Sequence, residues 1–191
     1  MAAEPSVPPA PEAGEWDLAP RSPSASSVSL IRQMDLSDAN LLGNVHGGEV
    51  MKFVDTAGGL AAMKHCGGPV VTVAMDEMTF LEPVFVGDVV TVKAMVNDTG
   101  RTSLEVGVRV EADNFVTGRH VHTSSAYLVY VALDNAGRPR PVPPVAPDDQ
   151  DQARRQREAK LRREARLARK RTILDAREAR GDQGARTPAA E

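Results

Sequence analysis

The sequence predicts an α+β domain in which an antiparallel sheet wraps around one long helix. Four segments are rich in Val, Thr and Tyr and alternate apolar with polar residues, as strands do. One segment ahead of them, Gly47–Lys64, repeats apolar residues at helical spacing and is apolar on nearly every side, which favours a helix buried by the sheet. The four predicted strands are Val70–Met75, Val89–Asn97, Ser103–Glu111 and Arg119–Leu133.

Short turns separate these elements. Pro83 and the pair Gly87-Asp88 break the chain between the first and second strands, and the run 97–100 (NDTG) supplies turn residues after the second. Within the third strand, apolar residues alternate with polar ones, so one face contacts a core and the other faces solvent. Connections this short predict hairpins, and therefore an antiparallel sheet.

The 191 residues suffice for one domain with tails. Residues 1–27 hold six prolines among serines, a composition that predicts a disordered leader. After a proline-rich exit that ends at Pro147, the segment Gln150–Arg180 is rich in Arg, Glu and Ala, which are good helix formers with few apolar residues. We therefore expect a folded domain at 28–147 and a charged, solvated helical tail at 148–191.

Composition excludes several classes of protein. The single cysteine, Cys66, and four histidines leave no disulfide framework and too few soft ligands for a structural zinc site, so no metal is expected. The longest uncharged apolar stretch, Gly67–Met75, is far shorter than the roughly 20 residues of a membrane-spanning helix. The N-terminus has neither the basic start nor the apolar core of a secretory signal. We expect a cytoplasmic protein without a membrane partner.

Charge is distributed unevenly along the chain. Residues 1–147 carry a net charge of -7, whereas residues 148–191 carry +4. Such asymmetry is typical of an interaction tail on a folded body. Acidic residues interleave with the arginines of this tail, however, and it contains no aromatic residue on which a base could stack, so no nucleic-acid partner is predicted.

Asp55 is the unusual residue of the predicted helix. Because a carboxylate is almost never buried without a partner, it either faces a solvent-filled crevice, pairs with a neighbour as plain structure, or performs chemistry. Three residues later, Gly58 and Gly59 each cost up to about 1 kcal/mol relative to alanine in a helix interior. This cost predicts that another backbone approaches the helix closely there.

A glycine-rich loop, Asn40–Gly48, leads into the start of the same helix. A helix N-terminus presents unpaired N–H groups and the positive end of the helix dipole, and glycines let the backbone approach a ligand. Gly47 and Gly48 are therefore candidates to polarise a carbonyl or stabilise an oxyanion, with His46 beside them. An ordinary glycine-rich helix entry with a satisfied histidine is the alternative.

The spacing of these features resembles a known family. The run Asp38–Asp55, which reads DANLLGNVHGGEVMKFVD, resembles the hotdog-fold acyl-CoA thioesterases, especially the brain-type cytosolic acyl-CoA hydrolases and their single-domain bacterial relatives. Further matches are the segments 80–84 (FLEPV), 86–88 (VGD) and 100–103 (GRTS). The resemblance extends from about Ser29 to Pro144.

The resemblance implies an activity and an assembly. In this family a helix wrapped by a sheet pairs with a second such domain, and the pairs usually assemble into a trimer of dimers. The implied reaction is hydrolysis of an acyl-CoA thioester to a free acid and CoA, with Asn40 of one subunit and Asp55 of the other forming each site. A homodimer of this chain would have two complete sites. CoA is part of the substrate, so no separate cofactor is implied.

The resemblance also implies roles for individual residues. Asp55 acts as general base on a water or as nucleophile, and the sequence does not separate the two. Asn40 orients the water or the thioester, and the N–H groups near Gly47 and Gly48 polarise the carbonyl. The segment 100–103 supplies Arg101, Thr102 and Ser103, at a turn where the family commonly contacts CoA.

Two alternatives differ in the role of the site. Bacterial members of the family have Phe at the position of His46, so the imidazole either shapes the pocket or takes part directly. A hotdog sensor that binds acyl-CoA without hydrolysing it, with the basic tail as its interaction module, is the second alternative, and the presence of both Asn40 and Asp55 argues against it. Hotdog hydratases place a histidine five residues after an aspartate, whereas His46 follows Asp38 by eight. Acyl chain length does not follow from the sequence.

Overall fold

The structure is a computed structural model and describes residues 16–178. It contains two helices, five strands and two short 3-10 turns. The strands are β1 (Val28–Gln33), β2 (Val70–Phe80), β3 (Val89–Thr99), β4 (Ser103–Asn114) and β5 (Arg119–Ala132). The helices are α1 (Gly47–Cys66) and α2 (Gln150–Glu178), and the 3-10 turns are Pro23–Ser26 and Leu36–Asp38.

The five strands form one antiparallel sheet in the order β1-β3-β4-β5-β2, so β1 and β2 are its edges. The sheet curves around α1, whose Val54, Ala57 and Ala61 have no exposed surface. Alternate residues of the central strands, such as Val106 and Leu128, point into the same core. Burying their apolar surface is the main force that holds the helix inside the sheet.

The predicted helix and all four predicted strands are confirmed. The fold also contains a strand that the sequence did not indicate, since β1 ends in Arg32 and Gln33 and lacks a clear alternation. β1 pairs with β3 and forms one edge of the sheet. β2 is five residues longer than predicted, because two register irregularities let it follow β5 through its polar middle.

The sheet wraps around α1 as predicted, but α1 is buried on one side only, whereas its sequence pattern predicted burial on nearly every side. Met51, Asp55, Leu60 and Met63 are exposed along its other side. The sequence pattern was misleading here because the exposed side carries large apolar residues beside its polar ones. Exposed apolar residues on an otherwise packed helix indicate a surface that another molecule covers.

Residues 16–27, predicted as part of a disordered leader, pack on the domain. Backbone hydrogen bonds join Arg21 N–H to the Pro144 carbonyl (2.9 Å) and Ala146 N–H to the Arg21 carbonyl (2.8 Å). The Ser26 hydroxyl is buried and accepts the Val96 N–H at 3.0 Å. Residues 1–15 of the predicted leader lie outside the described residues.

The tail forms the predicted helix, but the first half of that helix is not solvated. Ala159 is only 1% exposed, and Arg162 pairs with Glu105 of β4 at 2.6 Å while its guanidinium lies 3.6 Å from the centre of the Tyr127 ring. The domain boundary expected at Pro147 therefore does not separate the tail from the body in the described part of the chain. Residues 179–191 lie outside it. None of the described helices is long and apolar enough to cross a membrane.

Candidate active site

The loop before α1 holds Asn40 at the rim of a cavity of about 340 Å³. Asn40 N–H donates to the Asn44 carbonyl at 2.7 Å, and the Asn40 side-chain oxygen accepts the Leu42 N–H at 2.8 Å. These bonds fix the turn and orient the side-chain amide, because the oxygen is the end that faces a donor. The amide nitrogen is the end left to meet a ligand. The cavity is lined by Asn40, Asn44, Val45, Gly47, Val50 and the segment 80–84.

His46 caps the N-terminus of α1. Its Nδ1 accepts the Gly48 N–H at 2.9 Å, and its backbone carbonyl accepts the Glu49 N–H at 2.9 Å. Both Gly47 and Gly48 were candidates to polarise a carbonyl, but the cap occupies the Gly48 N–H. Gly47 lines the cavity and lies against the Phe80 ring, so its N–H is the better placed of the two. His46 has a structural task here that any capping side chain could perform.

Asp55 lies two turns further along α1, about 12 Å from Gly47 at 1.5 Å per residue. It is exposed, and its Oδ1 accepts hydrogen bonds from the Thr72 hydroxyl at 2.7 Å and from the Tyr130 hydroxyl at 3.2 Å. The Tyr130 hydroxyl also lies 3.0 Å from the Asp55 carbonyl. Two hydroxyl donors from the sheet therefore hold the carboxylate in one orientation while it faces solvent.

Tyr130 is the buried support of this carboxylate. It is 1% exposed, and burial together with the adjacent Asp55 charge raises the pKa of its hydroxyl above the usual value. It thus remains a neutral hydrogen-bond donor. Gly58 makes room for it, since a Cβ there would overlap the Tyr130 hydroxyl. The close approach predicted at Gly58-Gly59 is real, but a side chain and not a backbone makes it.

Asn40 and Asp55 do not share a cavity within one chain, because Asp55 is absent from the lining of the Asn40 cavity. The cavity lies where α1 begins and β2 ends, and Asp55 bonds to Thr72 near the start of β2. The exposed Asp55 and the open cavity are thus separate features of the same chain.

The turn between β3 and β4 carries Arg101, Thr102 and Ser103. Its Gly100 N–H donates to the Ser103 carbonyl at 2.8 Å, and the Thr102 carbonyl accepts the Ala132 N–H at 3.0 Å. Arg101 is exposed, whereas Thr102 is 3% exposed, so of the two only Arg101 has a side chain that solvent reaches. Ser103 pairs with the end of β5, which places the turn at the opposite end of the sheet from the Asn40 cavity.

Thr72 and Tyr130 were not predicted as site residues from the sequence. Both lie in strands that look structural by pattern, and they face Asp55 because the register pairs Thr72 with Tyr130 in neighbouring strands. Gly58 was the available signal, since a glycine one turn after an acid in a helix indicates a bulky neighbour. The signal does not identify that neighbour.

A five-stranded antiparallel sheet wrapped around one long helix is the hotdog fold. The model of the Thioesterase superfamily matches residues 42–117. The cytosolic acyl coenzyme A thioester hydrolase of Mus musculus is 36% identical over 143 residues, which are 74% of this chain and 38% of the mouse protein. The chain thus spans less than half the length of that relative.

Solved structures agree along more of the chain. A hexameric acyl-CoA thioesterase is 36% identical with a TM-score of 0.77, and the match covers 79% of this chain and 97% of that one. The acyl-CoA hydrolase of Staphylococcus aureus, solved with butyryl coenzyme A, coenzyme A and coenzyme A disulfide, is 34% identical with a TM-score of 0.76, covering 84% and 98%. The chain belongs to the hotdog-fold acyl-CoA thioesterase family.

The Staphylococcus aureus hydrolase has also been solved as three alanine variants, of an asparagine, an aspartate and a threonine. Along its sequence those three residues are spaced as Asn40, Asp55 and Thr72 are in this chain.

Proposed function

We propose that this chain hydrolyses acyl-CoA thioesters to a free carboxylic acid and CoA, at sites that two copies of the chain build together. The observation that carries the proposal is Asp55, an exposed carboxylate held by the Thr72 and Tyr130 hydroxyls but separated from the Asn40 cavity. A carboxylate in one fixed orientation suits an acid-base or nucleophilic role. The family, and the matching spacing of the residues varied in the Staphylococcus aureus hydrolase, support the same reaction.

The exposed side of α1 and the edge strand β2 are the surface on which two copies would pair. An edge strand has unpaired peptide groups, and β2 also exposes Val71 and Val73. Suppose that the α1 helices of two copies pack antiparallel, with Asp55 of one copy beside Gly47 of the other. The two-fold axis then passes Met51, which lies midway between these two residues along the helix. Met51 is exposed and lies one turn before Asp55 on the same side of the helix.

Such pairing completes the chemistry of each site. Asp55 takes a proton from a water that attacks the thioester carbonyl, or attacks that carbonyl itself to form an anhydride that water then hydrolyses. The Asn40 amide of the other copy orients the water or the thioester. The Gly47 N–H, aided by the helix dipole, stabilises the negative charge that develops on the carbonyl oxygen. The thiolate of CoA leaves and takes a proton from solvent.

Coenzyme A is polyanionic, so its phosphates need basic partners. Arg101 is exposed at the β3–β4 turn, next to Ser103, and we assign this turn to the CoA phosphates. The turn lies at the same end of the sheet as Thr72, which holds Asp55, so Arg101 of the copy that supplies Asp55 lies on the Asp55 side of each composite site. For the assembly we propose a trimer of dimers, and for the location the cytoplasm. Relatives of known structure include hexamers.

A sensor that uses its tail as an output module is less well supported. The first half of α2 packs on its own sheet through Ala159 and Arg162, so that half is not free to engage a partner.

A hydrolysis assay tests the proposed activity. We expect the purified chain to cleave acyl-CoA thioesters in a panel of short, medium, long and aromatic acyl groups, and Asp55→Asn to lower kcat by at least about 100-fold. Asp113→Asn is a matched control, because that carboxylate pairs with His120 at 2.6 Å in a surface contact. Near-normal turnover by Asp55→Asn with an unchanged circular dichroism spectrum would refute the role of Asp55.

A further inference from the structure

Helix α2 crosses the outer face of the sheet and continues past its edge. Its side-chain contacts move from one strand to the next along the helix, and they end at the edge strand β2. In order, the contacts are Gln156 to Asp98 on β3 (3.1 Å), Arg162 to Glu105 on β4 (2.6 Å) and Arg166 to Asp76 on β2.

The distances show that the helix runs nearly perpendicular to the strands. Three strand spacings separate β3 from β2, or about 14 Å at roughly 4.8 Å each. The ten residues from Gln156 to Arg166 span about 15 Å of helix. Residues 167–178 therefore extend about 18 Å beyond Arg166, past the edge of the sheet. All twelve of them are exposed.

The underside of the overhanging residues carries both apolar and basic side chains. Helical residues seven apart lie on nearly the same side, so Ile173 follows Arg166 on the side that packs on the sheet. Ile173 is 46% exposed and Leu174, next to it, is 42% exposed. Thr172 lies on the solvent side, where its hydroxyl bonds to the Ala168 carbonyl at 3.1 Å. The side of α2 that contacts its own sheet is thus continued past the sheet edge by two large apolar residues, Ile173 and Leu174, with Lys170 and Arg177 beside them.

We propose that residues 167–178 form a strap that packs on the outer sheet face of a second copy of the chain. The inference rests on the pairing through α1 and β2 proposed above, which would continue the outer sheet surface beneath the overhang. Ile173 lies about 10 Å beyond Arg166, or two strand spacings, which places it over the second strand of the other copy. By two-fold symmetry, the strap of each copy packs on the other copy.

Charge supports a second copy as the occupant. The strap carries four Arg or Lys residues against two acids, whereas residues 1–147 have a net charge of -7. The edge strand contributes Asp76 and Glu77, which line a small cavity with Arg166 and Arg169 on this outer face. Two large apolar residues on the underside fit a protein surface better than a phosphate backbone.

Site-specific photo-crosslinking of the full-length chain tests the strap. A benzoylphenylalanine at Ile173 should yield a crosslinked dimer whose joined peptide maps to β2 or β5, and the same group at Thr172 should yield little. Mixing isotopically labelled and unlabelled chains shows that the link joins two molecules. Equal crosslinking from both positions, or a link only within one chain, would overturn the strap.

Sedimentation over a dilution series gives an independent readout. Ile173→Asp should raise the dimer dissociation constant at least tenfold, and Thr172→Asp, which adds the same charge on the solvent side, should change it less than threefold. A stable dimer that Ile173→Asp leaves unchanged refutes the strap but not the pairing. A wild-type chain that sediments only as a monomer refutes the pairing and the strap together, whereas the hydrolysis panel tests the activity separately.

Discussion

At the scale of single residues, the candidate site depends on how the sheet supports Asp55. The Thr72 hydroxyl comes from the edge strand β2 and the Tyr130 hydroxyl from its neighbour β5. The orientation of the carboxylate therefore depends on the register between these two strands. Gly58 belongs to the same unit, because it leaves the space that the tyrosine occupies. A substitution at Thr72, Tyr130 or Gly58 should therefore disturb the orientation of the Asp55 carboxylate.

Gly58→Ala should destabilise the fold by about 1–3 kcal/mol, because the new methyl group overlaps the Tyr130 hydroxyl and the packed core resists the shift. In a Tyr130→Phe background, where that oxygen is gone, the same substitution should cost clearly less. Urea unfolding of the four proteins measures both values. Gly59→Ala is the control: its nearest neighbour is Tyr130 Cε1 at 3.8 Å, so we expect no loss of stability. If Gly58→Ala lowered the free energy of unfolding equally in both backgrounds, the Tyr130 hydroxyl would not be the group that needs the space at Gly58.

Part of the site follows from sequence and part does not. Asn40 and Asp55 were predicted because their spacing around a glycine-rich helix entry is a local pattern. Thr72 and Tyr130 were missed because strand pairing brings them to Asp55 from positions distant in the chain. The sequence also did not show that the Gly48 N–H is occupied, because that cap depends on the rotamer of His46.

At the scale of elements, the sequence of α2 resembles that of a solvent-exposed helix, although its first half packs on the sheet. Its sheet-facing side consists of Gln, Ala and Arg, and arginine stems cover apolar surface while their charged ends pair. The central strands were predicted correctly because one face of each alternates cleanly into the core. The outward Glu105 was expected to face solvent, but it is 7% exposed because α2 covers it.

Arg162→Ala should lower the free energy of unfolding by about 2–4 kcal/mol. The substitution leaves the Glu105 carboxylate under the helix without its guanidinium partner and removes the contact with the Tyr127 ring. Arg157→Ala, on the exposed side of the same helix, should change it by less than about 0.5 kcal/mol. Chemical denaturation monitored by circular dichroism gives both values. Similar small effects at the two positions would show that the helix is solvated after all.

At the scale of the whole molecule, the two candidate groups Asn40 and Asp55 do not meet within one chain. The Asn40 cavity opens at the start of α1, and Asp55 projects from the exposed side of the same helix. The apolar residues between and around them, with Met51 at the centre, would be costly to leave in water. The proposed two-fold pairing would account for both observations, because it would cover the apolar surface and form two equivalent sites.

Mixing inactive variants tests this composite site directly. Neither Asn40→Ala nor Asp55→Ala should turn over substrate alone, but after co-refolding in equal amounts half of the dimers are mixed, and each mixed dimer has one intact site. Activity should therefore recover to about a quarter of the wild-type value per chain. As a control, equal amounts of wild type and the double variant should also give about a quarter, whereas sites contained within single chains would give about half. Steady-state hydrolysis of one acyl-CoA thioester measures all the mixtures, and a mixture of single variants that stays as inactive as its components would rule out a site shared between chains.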